Sequence, residues 1–398
     1  MNAPHIAIVS PNPAKQAGGV ERVCALLAQV LEQRGWRVTI IGPQRTSTQW
    51  EFRFGLGYLA PSRSASQAAQ ALHPDLIISN GYLGMGGSRS TPRIHLYHGT
   101  MVGDTRAEGS ALPVRERLRR VVAAGASEAF AAQGATSVIC VSEAAAEELH
   151  RYYRICADAV VPNGIDTSMF TPRERMPARE RLRLPKEGRY ALFVGRRQHR
   201  KGADLIVAAT QRAGYELLVA GATEVPGARH LGVLAPAQLV DAYAAVDCVL
   251  FPSRYEACSL VVLEALACGR PLLTTRVGWM RTLLSALPDY DRLCVEPTVE
   301  DLYARLRELP SVDTAPLTSS ALAFVRRFNS LEHWSQRWYE IVERALKRNE
   351  QRPADSPSAV DRHTPKHGPA VDHRHTPKHG PWSELSTYPP LQEIGIAR

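Results

Sequence analysis

FPSRYEACSLVVLEALACGRPLLTT, residues 251–275, decides the fold. The apolar run DCVLF (247–251) leads into it and halts at Pro252, as a strand buried on both faces does. Ser259 is a suitable N-cap for the segment that follows. That helix runs through LVVLEALAC, stops at Gly269, and cannot continue through Pro271. PLLTT (271–275) then returns as a strand. Strand, helix and strand in this order build a parallel sheet with helices on its faces.

The same alternation extends outward in both directions. Upstream lie YALFV (190–194) and YELLVAG (215–221) as strands, with helices near 203–213, 236–245 and 259–268. A charged stretch with prolines, TPRERMPARERLRLPKEGR, reads as an inter-domain linker and first helix. Before it a second series runs from the N-terminus. Its strands are IAIV (6–9), VTII (38–41), DLIIS (75–79), RIHLY (93–97), SVICV (137–141) and a short one opening AVVPNGID (159–166). Val20 to Arg34 has helical spacing and Gly35 closes it. A helix from Ser142 to Tyr153 follows the fifth strand. The chain therefore divides into an N-terminal domain over 1–168 and a C-terminal domain over 169–318. A further helical segment, 319–349, carries Trp334, Trp338, Tyr339 and Ile341. Beyond it AVDRHTPKHGP is followed by AVDHRHTPKHGP, a tandem repeat rich in His, Pro and Lys, so 350–398 is expected to be disordered.

Composition narrows the class. The 398 residues are 44% hydrophobic and 22% charged, which excludes collagen, coiled coil and wholesale disorder. No apolar run has the length of a membrane span, and the N-terminus lacks the pattern of a secretory signal, so the expected location is cytoplasmic. The seven cysteines are scattered, without a CxxC pair, and read as core filler. The formal charge of +9 favours phosphate-bearing partners without choosing among them. No nucleic-acid motif accompanies it, and none of the residue clusters suggests a metal.

In open parallel sheets ligands bind beyond the carboxyl ends of the strands, so the loops there are where chemistry is sought. Glu264 is the single charge in an otherwise apolar helix. A buried carboxylate requires a partner, and a sugar diol or a structural arginine would each satisfy it. Glu256 sits eight positions earlier, in the loop before the helix. The N–H groups of Leu260 and Val261 at the helix start form a seat for phosphate. Arg196 and Lys201 follow the strand YALFV, where a diphosphate would sit, and a solvated basic turn is the alternative. Gly18 and Gly19 open the first helix without forming GxGxxG, and a plain turn serves equally. His98 ends RIHLY, and Asn163-Gly164 reads as a turn.

Taken together, these segments resemble the GT-B glycosyltransferases, in particular the retaining family 4 (group 1) enzymes. The likeness spans about residues 5–345 and rests on two glutamates with seven residues between, Glu256 and Glu264. With them come the Gly195-Arg196…Lys201-Gly202 loop, Gly18-Gly19-Val20, His98-Gly99 and Asn163-Gly164-Ile165-Asp166, in family order. The resemblance implies an α/β fold of two Rossmann-like parallel-sheet domains facing a central cleft, with the C-terminal helix crossing back to the first domain. It implies a nucleotide-sugar donor, UDP-sugar before GDP-sugar, and a glycan, lipid-linked or small-molecule acceptor. No metal and no cofactor would be needed. Arg196 and Lys201 would clamp the diphosphate, and Leu260 and Val261 would offer N–H groups to it beside Ser259. Glu264 would take the ribose hydroxyls, and Glu256 hydroxyls of the sugar. His98 would contact the sugar near the reacting carbon, Gly18 and Gly19 would bring backbone to a ligand, and Val233 would lie at the base.

Two departures from the family stand out. Ala257-Cys258-Ser259 replaces glycines and is expected to narrow the pocket beside the sugar. Trp279 and Met280 follow Gly278 where relatives have Gly and Glu, so Trp279 is expected to shape the sugar or acceptor site. The rival readings are a phosphorylase or hydrolase using paired carboxylates, a nucleotide-sugar-binding module, and a basic nucleic-acid binder. LPVRERLRRVVAAGASEAF (112–130) sets four arginines beside Leu118, Val121 and Val122. Relatives acting on lipid-linked acceptors dock through such helices, so peripheral contact with an anionic membrane at its inner face is a further expectation.

Overall fold

The computed structural model describes residues 3–12, 18–44, 46, 57–86 and 90–350. The expectation of a disordered tail with its repeat falls, from residue 351 on, outside the described residues, as do Gln16 and Ala17 of the glycine loop. The chain forms two compact units. Among the described residues, the first comprises those up to Arg106, Leu112–Pro162 and Ser335–Glu350, and the second comprises Ala107–Ala111 and Asn163–Trp334.

In the first unit, among the described residues, six strands form one sheet: β1 His5–Val9, β2 Arg37–Ile41, β3 Leu76–Asn80, β4 Arg93–Tyr97, β5 Ser137–Cys140 and β6 Ala159–Val160. All its pairings are parallel, in the order β2-β1-β3-β4-β5-β6. Its helices are α1 Gly19–Gln33, α2 Leu59–Gln70, α3 Met101–Glu108, α4 Val114–Arg119, α5 Gly125–Ala131 and α6 Glu143–Tyr153. The apolar sequence runs are what make this sheet central: β1, β3 and β4 are buried along their whole length. Ser142 caps α6 by accepting from Ala145 N–H at 3.1 Å.

In the second unit, β7 Tyr190–Val194, β8 Glu216–Ala220, β9 Arg229–Gly232, β10 Cys248–Phe251 and β11 Leu272–Thr274 form a parallel sheet in the order β11-β10-β7-β8-β9. Around it lie α7 Arg175–Arg181, α8 Ile206–Ala213, α9 Pro236–Ala245, α10 Leu260–Ala267, α11 Met280–Ala286, α12 Val299–Glu308 and α13 Ala315–Phe328. The last helix, α14 Leu331–Glu350, starts in this unit and has its later turns in the first. There Trp338, Ile341, Val342 and Ala345 are buried, and Tyr339 donates its hydroxyl to Val30 O at 3.0 Å.

Several expectations are corrected. The stretch 171–189, expected as linker and first helix, does hold that helix as α7, but it is no loose linker. Arg173 and Arg181 ion-pair with Asp241, while Arg175 and Arg179 reach Asp247, which ties α7 into the second unit. The units divide at 162/163 rather than 168/169, because Asn163 is already bound to the second unit: its Nδ2 donates to Cys258 O at 2.7 Å. Gly164 lacks the positive φ of an Asn-Gly turn. It is instead a close-approach glycine, since a Cβ there would collide with Trp334. The expected single helix over 319–349 breaks at Asn329. That residue donates its amide to Asn163 O (3.1 Å) and accepts from Ile165 N (2.8 Å), so the segment up to Trp334 stays with the second unit. Strand β9 escaped the sequence reading because RHLG has neither an apolar run nor clean alternation.

Candidate functional site

In the second unit the chain runs from β7 outward through β8 and β9, then returns to place β10 on the other side of β7. The ends of β7 and β10 therefore mark a topological switch point, where open α/β sheets hold ligands. The loops after these two strands carry Arg196–Lys201 and Pro252–Ser259. They are fastened to each other. Gly202 has φ +69°, and a Cβ there would strike the Pro252 carbonyl, so only glycine permits the approach. Arg254 N–H donates to Arg200 O at 2.7 Å, and its guanidinium takes both carboxylate oxygens of Asp204 at 2.8 Å.

This clamp brings Lys201 onto Glu256. The Lys201 ammonium ion-pairs with Glu256 Oε1, and Arg200 Nη1 reaches the same oxygen at 3.2 Å. Burial pulls the Lys201 pKa below the ordinary lysine range, the Glu256 carboxylate opposes that shift, and the nearby Arg200 and Arg196 charges add to it. Arg196 itself is exposed. The first intrahelical bond of α10 is Leu263 N–H to Ser259 O at 3.3 Å, so the N–H groups of Leu260 and Val261 precede the ladder. Ser259 occupies the N-cap, but its side chain makes no cap bond.

Glu264 lies one turn further along α10 and is 0% exposed. Tyr243, from α9, donates its hydroxyl to Glu264 Oε2 at 2.8 Å. A tyrosine thus stands where the sequence argument expected a diol or an arginine. Val233, just past β9, is 77% exposed. Beside it Gly221 N–H donates to Gly232 O at 2.8 Å and the His230 ring donates to Gly221 O at 2.9 Å, which holds the ends of β8 and β9 together. The expectation for Trp279 is overturned. It is 2% exposed and packs against Phe324 at 6.0 Å, so it belongs to the core and lines no site. The loop around it still bears on Glu256: Gly278, at φ +55°, lies against the Glu256 and Ala257 carbonyls where a Cβ would not fit.

The first unit has its own switch point, between β1 and β3. Ser10 follows β1, Asn80 ends β3, and His98 follows β4 directly. Asn80 Nδ2 donates to Val9 O at 2.7 Å and lies 3.4 Å from Cys24 Sγ. His98 Nε2 meets Asn80 Oδ1 at 2.9 Å. Burial lowers the His98 pKa to about 4, so the ring is neutral at pH 7. Gly18 is the N-cap of α1 and Gly19 its first residue, and the Glu21 side chain folds over the Gly18 Cα. Next to the His98 loop, Glu128 of α5 accepts from Met101 N–H (2.8 Å) and the Tyr153 hydroxyl (2.6 Å). Burial raises its pKa to about 7. Sequence reasoning missed Asn80, Glu128, Arg200 and Tyr243 as functional neighbours. Only Asn80 carried a signal, as a polar residue closing an apolar strand at a carboxyl end.

The segment 114–131 of this unit is α4, a π-helical turn over Arg120–Ala124, and α5. Val114, Leu118 and Val122 are 70%, 64% and 62% exposed, a row at helical spacing. Arg119 and Arg120 fold back onto Glu116 at 2.7 and 3.0 Å, whereas Arg115 and Arg117 have no ion pair among the described residues. No helix among the described residues is long and apolar enough to cross a membrane.

The Glycosyltransferase Family 4 signature matches residues 17–169, and the Glycosyl transferases group 1 signature matches residues 188–311. A D-inositol 3-phosphate glycosyltransferase of Segniliparus rotundus is 33% identical over 216 residues, covering 47% of this chain and 46% of that protein. The chain spans about half the length of the curated relatives it matches first. Sucrose-phosphate synthase from Thermosynechococcus elongatus superposes with a TM-score of 0.71 at 21% identity, over 87% of this chain and 100% of that one. Anabaena HepE, solved with UDP-glucose, superposes with a TM-score of 0.62 at 16% identity, over 86% of this chain and 100% of that one. These likenesses establish the fold: two Rossmann-like, parallel-sheet α/β domains of the GT-B kind.

Proposed function

The chain belongs to the family 4, group 1 glycosyltransferases, and from that membership we propose that it moves a sugar from a nucleoside diphosphate donor to a hydroxyl of an acceptor, with retention at the anomeric carbon. The observation that carries this reading is the meeting of Lys201, Arg200 and Glu256 at the β7/β10 switch point, beside the open N-terminus of α10. Charge builds on the leaving diphosphate as the sugar departs. Fixed cations and helix N–H groups stabilise that charge without reorganising. Arg196 and Lys201 take the diphosphate together with the N–H groups of Leu260 and Val261. Glu256, released from Lys201, takes sugar hydroxyls. Glu264 takes the ribose only by exchanging the Tyr243 hydroxyl for a diol. Val233 offers an exposed apolar face to the base, His98 contacts the sugar, and Gly18 and Gly19 admit a ligand close to the backbone.

UDP-sugar is the favoured donor, supported by the UDP-glucose complex of the superposing HepE. The acceptor class is a polyol phosphate or a lipid-linked polyol, supported by the inositol 3-phosphate named in the relatives. A paired-carboxylate hydrolase is disfavoured, because Glu264 is fully buried and bonded by the Tyr243 hydroxyl, while Glu256 is ion-paired with Lys201. The exposed Val114, Leu118 and Val122 beside Arg115 and Arg117 support peripheral contact with an anionic bilayer. Flotation with phosphatidylglycerol vesicles should retain wild type and lose Leu118→Glu; equal flotation of both removes the membrane part of the proposal.

The test of the activity is a thermal-shift series with UDP, GDP, ADP and TDP on wild type, Lys201→Ala and Glu264→Ala. A ligand selective for the native state raises the midpoint. A rise with one nucleotide that Lys201→Ala loses supports the donor site and names the base. No rise with any nucleotide sinks it.

A further inference from the structure

Asn80 is 2% exposed, and a buried amide left without partners is costly, so both ends of its side chain are spoken for. One end faces Val9 O at 2.7 Å. A backbone carbonyl only accepts, so the –NH2 group must lie on that side and the amide oxygen must lie on the other. The other side is His98 Nε2 at 2.9 Å. An amide oxygen cannot donate, so the proton of this contact sits on Nε2. In a neutral imidazole the remaining nitrogen then holds a lone pair. Among the described residues Nδ1 has no hydrogen-bond partner.

We infer that Asn80 is a positioning residue that locks His98 in the Nε2-protonated tautomer, so that Nδ1 meets the sugar as a hydrogen-bond acceptor and selects a hydroxyl over an anionic group. This rests on the glycosyl-transfer reading for the identity of the ligand, but not for the tautomer. The chain of constraint runs from the strand: Val9 closes β1, Asn80 closes β3, and the two strands are direct neighbours in the sheet. The backbone at the switch point therefore dictates the proton position on a side chain of the next strand but one. A histidine locked this way repels a phosphate oxygen, which needs a donor, and welcomes a hydroxyl, which supplies one. The cation-rich loops of the second unit present the opposite preference.

The experiment is nitrogen-15 NMR on full-length protein carrying labelled histidine, with the His98 signals identified by their loss in His98→Ala. The expected spectrum at neutral pH shows a protonated Nε2 and an unprotonated Nδ1. A protonated Nδ1, or a doubly protonated ring, overturns the inference, and wild type alone decides this should the variants fail to fold. The second measurement is a cycle of Asn80→Ala, His98→Ala and the double variant, read by sugar transfer. Asn80→Ala should lower kcat by about tenfold or more, as loss of an orienting partner does, and should leave UDP binding by thermal shift unchanged. The loss should vanish in the His98→Ala background. An undiminished loss there shows that Asn80 does not act through His98 and overturns the positioning role. If UDP fails to bind wild type while the tautomer is as expected, the transfer reading falls and the tautomer lock stands.

Discussion

The two switch points share a topology and differ in chemistry. Between β7 and β10, Lys201 and Arg200 converge on one oxygen of Glu256, and the helix behind them opens its N-terminus. Between β1 and β3 the bonded pair is uncharged: Asn80 bonds a neutral His98, and the pKa of Glu128, next to the His98 loop, is raised by burial to about 7. Both halves are built by the same strand-helix alternation. The loops alone make the difference: cations and a carboxylate in one half, a neutral imidazole and an amide in the other.

The sharpest way to break this contrast is Lys201→Ala. Removing a fixed cation from the seat of developing charge should lower kcat/KM about 10²- to 10³-fold, measured by nucleotide release. A loss under about fivefold contradicts the anionic assignment of this half. Glu128→Gln addresses the other half through stability. Its folded pKa of about 7 lies above its ordinary value of 4.5, so the folded state binds the proton more tightly than the unfolded one. Stability from this group is full below the lower value and declines as pH rises through the upper one, by about 3 kcal/mol. Thermal unfolding of wild type between pH 5 and pH 8 should therefore fall more steeply than that of Glu128→Gln, which cannot titrate. Parallel curves refute the assignment.

Glu256→Gln sharpens the comparison by leaving Lys201 without the carboxylate that supports its charge. Burial then lowers the Lys201 pKa further, so on the alkaline side nucleoside diphosphate binding should fail at lower pH than in wild type. An unmoved alkaline limb shows that Lys201 does not feel Glu256. The smallest effects compare two serines at the same kind of position. Ser142 caps α6 with a 3.1 Å bond, whereas Ser259 makes no cap bond on α10. Ser142→Ala should cost about 1 kcal/mol in chemical denaturation and Ser259→Ala only about 0.3 kcal/mol. Equal costs show that Ser259 caps its helix after all and does not leave those N–H groups for a ligand.

Most of the architecture is legible in the residues. RIHLY and YALFV are strands to the residue, and PAQLVDAYAA is a helix to the residue, because apolar runs and capping signals act locally. What the sequence hides is what depends on contact across the fold. The break at Asn329 is set by Asn163, which is 166 positions away. Trp279, which the family pattern invites into a site, is claimed by Phe324 in the core. The candidate residues around Glu256 were legible from spacing. Their partners Arg200 and Tyr243 were not, because a basic turn and a buried helix each offer several equivalent positions.

The first unit surrenders the chain after Pro162 and recovers it only at Ser335. Trp338, Ile341, Val342 and Ala345 sit in its core and are made after nearly the whole second unit. On a ribosome, then, the N-terminal half should wait with a gap along α1, holding exposed apolar surface while nearly all of its neighbour is synthesised. A truncation just before Ser335 should leave the later-made half competent and the earlier-made half dependent on chaperones.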